Sequence, residues 1–147
     1  MAKYTYDYPH PALAVDIALV SREPRPRVLL IRRKHDPFAG TWALPGGFAD
    51  PAETLAEAAL RELREETGVT GVDLEQLAAF GDPGRDPRGW TVSVAFLARV
   101  DPAALTPRAA DDADAADWYP LDAPPPLAFD HAKMLDRVRA RLAAFAP

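Results

Sequence analysis

The amino-acid sequence predicts an α/β fold in which a mixed β-sheet is covered by helices. Strand-like apolar segments occur in runs, two other segments have helical periodicity, and the long strand–helix alternation of an all-parallel sheet is absent. The expected strands are residues 12–20, 28–31, 42–44, 78–80, 91–100 and 118–119. The expected helices are residues 54–67 and 130–144. We expect one domain over residues 1–147, because this length suits a single core.

The strand assignments depend on apolar runs and on the turns between them. Residues 12–20 are almost entirely apolar, and a proline-rich turn at 23–26 separates them from the second strand. We expect Pro45-Gly46-Gly47 to end the third strand. The second helix has apolar residues at helical spacing, namely Met134, Leu135, Val138, Leu142 and Phe145.

The first helix has start and stop signals. Thr54 and Glu57 have the spacing of a capping box, with Thr54 as N-cap. Asp50, which a proline follows, offers a competing start. Thr54 is preferred, because it leaves Glu53 and the double glycine before it free to form a loop. Gly68 suits a left-handed C-terminal cap.

A helical projection separates two faces of this first helix. The expected buried arc contains Leu55, Ala56, Ala59, Leu60 and Leu63. Glu62, Glu65 and Glu66 lie on the adjacent arc at i, i+3 and i+4, so their carboxylates converge. Converging carboxylates repel one another, whereas a divalent cation bound between them would make the net interaction attractive. Hard oxygen donors in this number suit Mg²⁺, with Mn²⁺ as an alternative.

A solvated charged face is the alternative interpretation of three glutamates on a helix. The surrounding residues favour a site. Residues 44–48 read Leu-Pro-Gly-Gly-Phe, and glycine lets a backbone approach a ligand or metal closely. Arg61 sits among the acids and could pair with Glu53, which would pin the loop onto the helix.

Composition excludes several classes of function. The net charge of −5 makes the chain a poor general binder of nucleic acid, since such binding depends on phosphate neutralisation. The absence of cysteine excludes disulfides, thiolate zinc sites and cysteine nucleophiles. The N-terminus lacks a secretory signal, and no apolar run approaches the roughly 20 residues of a membrane span. We therefore expect a cytoplasmic protein that binds a small ligand, without nucleic-acid or membrane partners.

Residues 47–69 follow the pattern G-x5-E-x7-REL-x-EE-x-GV, which is a full match to the Nudix box. On this motif the sequence is identified as a member of the Nudix family. The resemblance implies an α/β/α sandwich with a mixed central β-sheet. It also implies hydrolysis of diphosphate bonds in nucleoside diphosphate derivatives.

The resemblance also implies roles for individual residues. By motif position Glu62, Glu65 and Glu66 are the metal ligands, with the carbonyl of Gly46 as a backbone ligand. Glu53 and Arg61 are the pair that shapes the catalytic loop, and Glu53 can reach a metal through water. Bound Mg²⁺ would neutralise the diphosphate and lower the pKa of the attacking water. The proton acceptor is either Glu65 or a carboxylate of a later loop, for which the candidates are Asp82, Asp86, Asp111 and Asp112.

Segments outside the box resemble the bacterial and archaeal ADP-ribose pyrophosphatases of one Nudix branch. They also resemble the Nudix portion of ADP-ribose-binding transcriptional regulators of NAD metabolism. These segments are residues 32–38, 40–47, 80–89, 92–96 and 127–131. The implied reaction converts ADP-ribose to AMP and ribose 5-phosphate. Candidate contacts to the diphosphate or terminal ribose are Arg32, Arg33, Arg85 and Arg88. Phe38 and Trp42 could stack on adenine, with core or lid packing as the alternative.

Three readings of the function stay open, of which hydrolysis of ADP-ribose is the first. One ADP-ribose pyrophosphatase signature has a proline sixteen residues beyond the box, where this chain has Arg85, so NADH, dinucleoside polyphosphates or oxidised nucleoside triphosphates are alternative substrates. A non-catalytic ADP-ribose sensor is the third reading. It is disfavoured because every box acid is present and these 147 residues contain no winged-helix segment.

Family analogy suggests a homodimer, with Tyr4, Tyr6 and Tyr8 as candidate contacts.

Overall fold

The computed structural model describes residues 3–110 and 113–144, and it has the predicted α/β architecture. Its strands are β1 Ala12–Ser21, β2 Arg27–Arg33, β3 Trp42–Ala43, β4 Gly46–Phe48, β5 Glu75–Phe80, β6 Thr91–Val100 and β7 Ala113–Pro120. Its helices are α1 Leu55–Thr67 and α2 His131–Ala143, with a short 3₁₀ turn at Pro102–Ala104. Within the described ranges, no helix is long and apolar enough to cross a membrane.

The strands form one mixed sheet, as predicted. Its order is β3-β2-β1-β6-β5, and β4 pairs with β1 while β7 pairs with β2. The long central pair β1–β6 is parallel, from Ala12↔Thr91 to Ser21↔Val100. The neighbouring pairs are antiparallel. The carboxylate-bearing helix α1 follows β4 directly, so this topology brings the box beside the middle of β1.

Alternate residues of the central strands are buried on opposite faces of the sheet, because successive side chains of a strand point in opposite directions. One face packs Val15, Ile17 and Leu19 of β1 in a cluster with α1. The other face packs Ala18 and Val20 of β1 in a cluster with α2. Helix therefore covers both sides, and the α/β/α sandwich is confirmed.

Several strands differ in extent from their predictions. β2 and β5 are longer than the predicted ranges 28–31 and 78–80, since they cover Arg27–Arg33 and Glu75–Phe80. Pro45-Gly46-Gly47 was expected to end the third strand, yet Gly46–Phe48 forms β4, because it pairs with Ala14–Asp16 of β1. β7 covers eight residues, whereas only 118–119 were expected. It lies along the whole of β2, and a neighbouring strand can impose extended structure on an Ala- and Asp-rich segment of weak β-propensity.

The second helix packs much as predicted. Met134, Leu135 and Val138 are fully buried, and Leu142 is partly buried against the same cluster. Phe145, which was placed on the same face, lies outside the described residues.

Candidate active site

The ends of α1 are capped as the sequence predicts. The Thr54 hydroxyl accepts from the Glu57 N–H at 3.1 Å, and the Glu57 carboxylate accepts from the Thr54 N–H at 3.2 Å. Thr54, and not Asp50, is therefore the N-cap. Gly68 closes the helix in the left-handed region with φ 75°. These caps fix which residues of the box are helical and leave the preceding loop free to fold against them.

The buried arc of α1 differs from the predicted one. Ala56 and Leu60 are exposed, whereas Ala58 and Glu66 are buried together with Leu63. The helix is rolled by roughly 40° relative to the projection, at about 100° per residue. This roll brings Glu66 against the sheet, where its Oε1 accepts from the Gly46 N–H at 3.0 Å. Glu66 thus contacts β4 on the same side of the helix on which Leu63 packs in the apolar cluster.

Arg61 lies at the centre of the acidic cluster. Its Nε and Nη2 donate to the two carboxylate oxygens of Glu53 at 2.6 and 2.9 Å, and Nη2 also donates to the Phe48 carbonyl at 3.0 Å. These bonds join the loop after β4 to the helix. The Arg61 bond, helped by the Asp50 N–H, lowers the pKa of Glu53 to about 2.

The three glutamates predicted as metal ligands have different surroundings. Arg61 Nη1 donates to Glu62 at 2.7 Å and to Glu65 at 3.2 Å, while Glu66 is held by Gly46. Burial raises the pKa of Glu62 despite the bond from Arg61. Within residues 3–110 and 113–144, no three carboxylate or histidine side chains are already arranged as a metal centre.

The two glycines of β4 are required by close approach. A Cβ on Gly47 would lie 2.5 Å from the carboxylate carbon of Glu62. A Cβ on Gly46 would lie 2.2 Å from the Val15 carbonyl oxygen and 2.3 Å from Asp16 Oδ1. The missing side chains therefore let the acidic helix and β1 both approach the backbone of β4.

Alanine at these two positions should have separable effects. Gly46→Ala clashes with the backbone of β1, so we expect a loss of about 1–3 kcal/mol in the free energy of unfolding, as for overpacking. Gly47→Ala clashes with the end of the Glu62 side chain, which can move, so stability should change less while Mn²⁺ affinity falls. Denaturant melts and Mn²⁺ titrations measure the two quantities. Equal stability losses would contradict this distinction.

A cleft of about 420 Å³ opens over β4 and the acidic helix. Seven residues predicted as site residues line it, namely Arg33, Gly46, Arg61, Glu62, Glu66, Arg85 and Arg88. It thus brings Glu62 and Glu66 of the box into one space with three arginines from β2 and the β5–β6 turn. Glu53 and Glu65 do not line it, but both contact Arg61.

Three other predicted substrate contacts lie outside the cleft. Arg32 forms an ion pair with Asp114 at 2.7 Å. Trp42 packs edge-on against Tyr119 beside the α2 core, which matches the packing alternative. Phe38 has φ 62°, is 40% exposed and contacts Phe129, which does line the cleft. Adenine stacking by Phe38 or Trp42 stays a prediction.

The arginines of the β5–β6 turn are held firmly by carboxylates. Arg85 forms a two-bond contact with Asp130 at 2.6 and 2.9 Å, and its side chain is 5% exposed. Arg88 bonds Asp86 and lies over the rings of Phe48 and Phe129. Burial raises the pKa of Asp86, but the bonds from Arg88 outweigh it and leave the pKa below its usual range.

The proton acceptor is not singled out by these contacts. Asp86 lines the cleft but is held by Arg88, and Glu65 is held by Arg61. Asp82 is exposed and lies 3.6 Å from Lys133. Asp111 and Asp112 lie outside the described residues.

Sequence reasoning missed a buried polar network behind the glycine strand. Asp16 accepts from the Ser93 hydroxyl at 2.5 Å, and its other oxygen lies 3.4 Å from His131 Nε2. His131 Nδ1 accepts from the Leu44 N–H at 3.0 Å. Asp16 and His131 both line the cleft. A signal was present for Asp16, because it is the only charged residue in the apolar segment 12–20.

An acidic helix set against a double-glycine strand within an α/β/α sandwich defines a hydrolase of the Nudix class. The chain belongs to the Nudix family, because the NUDIX domain family model matches residues 10–138. An ADP-ribose pyrophosphatase of Methanocaldococcus jannaschii is 44% identical over 128 residues, covering 87% of this chain and 73% of that protein.

Two further similarities involve regulators. The ADPR responsive transcriptional repressor NtrR of Acinetobacter baylyi is 38% identical over 92% of this chain, which spans 56% of the repressor's length. The NUDIX domain of Shewanella oneidensis NrtR, solved in complex with ADP ribose, superposes with a TM-score of 0.84 at 36% identity. That match covers 93% of this chain and 94% of the solved domain.

Proposed function

We propose that this protein hydrolyses the diphosphate bond of ADP-ribose to give AMP and ribose 5-phosphate, with Mg²⁺ as cofactor. The observation that carries the proposal is the cleft that Glu62, Glu66 and four arginines line together. A diphosphate with a divalent cation has the complementary charges for such a lining. The 44% identity to the archaeal ADP-ribose pyrophosphatase supports the same substrate.

The donor set fits a hard divalent cation. Glu62 lies against the backbone of Gly47, and Glu66 lies against Gly46. Two carboxylates and the main chain of β4 are therefore close together. Mg²⁺ and Mn²⁺ both favour such oxygen donors. When bound, the cation supplies charge neutralisation of the diphosphate and a lowered pKa of its water.

Arg61 has two functions in this proposal. It holds Glu53 through two bonds, which keeps the loop after β4 closed on α1. It also neutralises Glu62 and Glu65 through Nη1, at 2.7 and 3.2 Å. A cation among these carboxylates would take over that neutralisation, while the Glu53 contact can persist.

Arg33 is the arginine best suited to receive the diphosphate. Burial lowers its pKa, and the nearby Arg88 lowers it further. Its Nε donates to the Pro37 carbonyl at 2.7 Å and its guanidinium lies over Phe129. The charges of Glu66, Asp16 and Asp86 offset the lowering of its pKa only in part. Two neighbouring cations repel each other, so an anionic ligand between them is stabilised.

A substrate panel tests the proposal. ADP-ribose, NADH, diadenosine polyphosphates and oxidised nucleoside triphosphates are each incubated with Mg²⁺, with Mn²⁺ and with chelator. We expect equimolar AMP and ribose 5-phosphate from ADP-ribose, and no product with chelator. Cleavage of another nucleotide while ADP-ribose stays intact would replace the proposed substrate.

A non-catalytic ADP-ribose sensor is the second candidate, because the similarity to NtrR covers 92% of this chain. Calorimetry separates the two functions. Tight binding of ADP-ribose without turnover of any nucleotide in the panel would favour the sensor.

Residence in the cytoplasm and a homodimer are parts of the same proposal. The residues Tyr4, Tyr6 and Tyr8 are 66%, 55% and 78% exposed, which leaves them available for a subunit contact. A monomeric mass in solution would exclude the dimer.

A further inference from the structure

The beginning of α2 contacts two parts of the cleft. His131, which is buried, accepts the Leu44 N–H at Nδ1 at 3.0 Å. Asp130, the preceding residue, holds the guanidinium of Arg85 through two bonds. The N-terminal end of α2 thus contacts both the segment that leads into β4 and the β5–β6 turn that carries Arg85.

A short path leads from Leu44 to the acidic helix. Leu44 precedes Pro45, whose carbonyl accepts from the Ile17 N–H at 2.8 Å. Gly46 follows, and its N–H donates to Glu66 at 3.0 Å. Proline fixes its own φ, so a shift of the Leu44 backbone is passed on to Gly46 and to the carboxylate that Gly46 holds.

The surrounding bonds also orient the ring of His131. A ring nitrogen that accepts a hydrogen bond carries no proton, so Nε2 carries the proton of the neutral ring. Nε2 lies 3.4 Å from Asp16 Oδ1, and the other Asp16 oxygen accepts from the Ser93 hydroxyl. Asp16 and Ser93 are both buried. The ring is therefore held on one edge by the backbone of Leu44 and faces a fixed carboxylate on the other.

We infer that His131 is a positioning residue that holds Gly46 and Glu66 in the arrangement that binds the divalent cation, and that Asp130 separately positions Arg85 for the diphosphate. The inference rests on the proposed function, from which it takes both ligands. Groups that orient metal ligands in this way typically contribute about 10–100-fold to metal affinity or activity.

The test measures Mn²⁺ affinity by electron paramagnetic resonance, without substrate. His131→Leu removes the acceptor for Leu44, whereas His131→Asn places an amide oxygen near the position of Nδ1. We expect His131→Leu to weaken Mn²⁺ binding by about tenfold or more, and His131→Asn to restore it. Asp130→Asn should leave Mn²⁺ affinity unchanged and raise the KM for ADP-ribose. Arg137 is an exposed residue of α2, and Arg137→Ala is the control for both measurements.

Several outcomes overturn the inference. They are unchanged Mn²⁺ affinity in folded His131→Leu, equal losses in the leucine and asparagine variants, and absence of Mn²⁺ binding by the wild type. If His131→Leu does not fold, ¹⁵N NMR of the wild type tests the inference by showing which ring nitrogen of His131 carries the proton. A proton on Nε2 together with slow exchange of the Leu44 amide supports the inference, and a proton on Nδ1 refutes it. If the wild type binds Mn²⁺ but cleaves no nucleotide, the proposed hydrolysis is wrong. The Mn²⁺ affinities of the His131 variants still test the role of His131 in that case.

Discussion

Replacing Glu66 by glutamine is expected to abolish turnover of ADP-ribose while the protein stays folded. Glu66 is 7% exposed, and its Oε1 accepts the Gly46 N–H, a bond that an amide oxygen retains. The substitution removes one negative charge from the proposed cation ligands. A catalytic cation contributes several kcal/mol of transition-state stabilisation, so kcat should fall by on the order of 10²–10³-fold. AMP release at saturating ADP-ribose and Mg²⁺ measures it.

The matched control is Glu57→Gln, the same change on the same helix. Glu57 lies in the first turn, where it completes the capping box, and it does not line the cleft. Glutamine serves equally well at that position of a capping box. Activity of Glu57→Gln should therefore equal that of the wild type. Full activity in the Glu66 variant would end its assignment as a ligand.

Replacing Leu63 by alanine is expected to cause the largest loss of stability among these substitutions. Leu63 is fully buried in the cluster between α1 and the sheet, with Val15 and Ile17 among its members. Removing its side chain loses apolar burial and leaves a cavity, which costs about 2–5 kcal/mol in the free energy of unfolding. Urea denaturation followed by circular dichroism measures that loss.

Leu60→Ala is the control, since the helical projection of the sequence placed both leucines on the buried arc. Leu60 is 38% exposed, so its truncation should change the free energy of unfolding by only about 0.5 kcal/mol. The difference between the two variants tests the roll of α1 directly. Similar losses from both would show that the helix is oriented differently.

The elements that sequence reasoning predicted well are those with strong local signals. Thr91–Val100 was predicted with its observed bounds, because it is a long β-branched and apolar run. The bounds of α1 were predicted from Thr54 and Gly68, whose capping roles need only neighbouring residues. β4 and most of β7 were missed, because each becomes a strand by pairing with a partner distant in the chain.

Some residues of the candidate site could likewise be predicted from local sequence, whereas the position of others depends on the tertiary structure. The box itself placed Glu53, Arg61 and the three glutamates in one cluster, since they share a helix and the loop before it. Of the arginines named as candidate contacts to the diphosphate, Arg33 and Arg85 line the cleft, whereas Arg32 lies outside it. Adjacent residues of a strand point to opposite faces, so only one of Arg32 and Arg33 could line the cleft, and the chain order does not say which.

The sequence by itself determined the family and the acidic helix with its caps. These features depend on residues within 23 positions of one another, so local spacing and backbone sterics suffice to read them. Tertiary structure alone decided the roll of α1 and the meeting of Asp16, Ser93 and His131 behind Gly46. Those three residues come from β1, β6 and α2, and only the packing of the sheet against both helices brings them together.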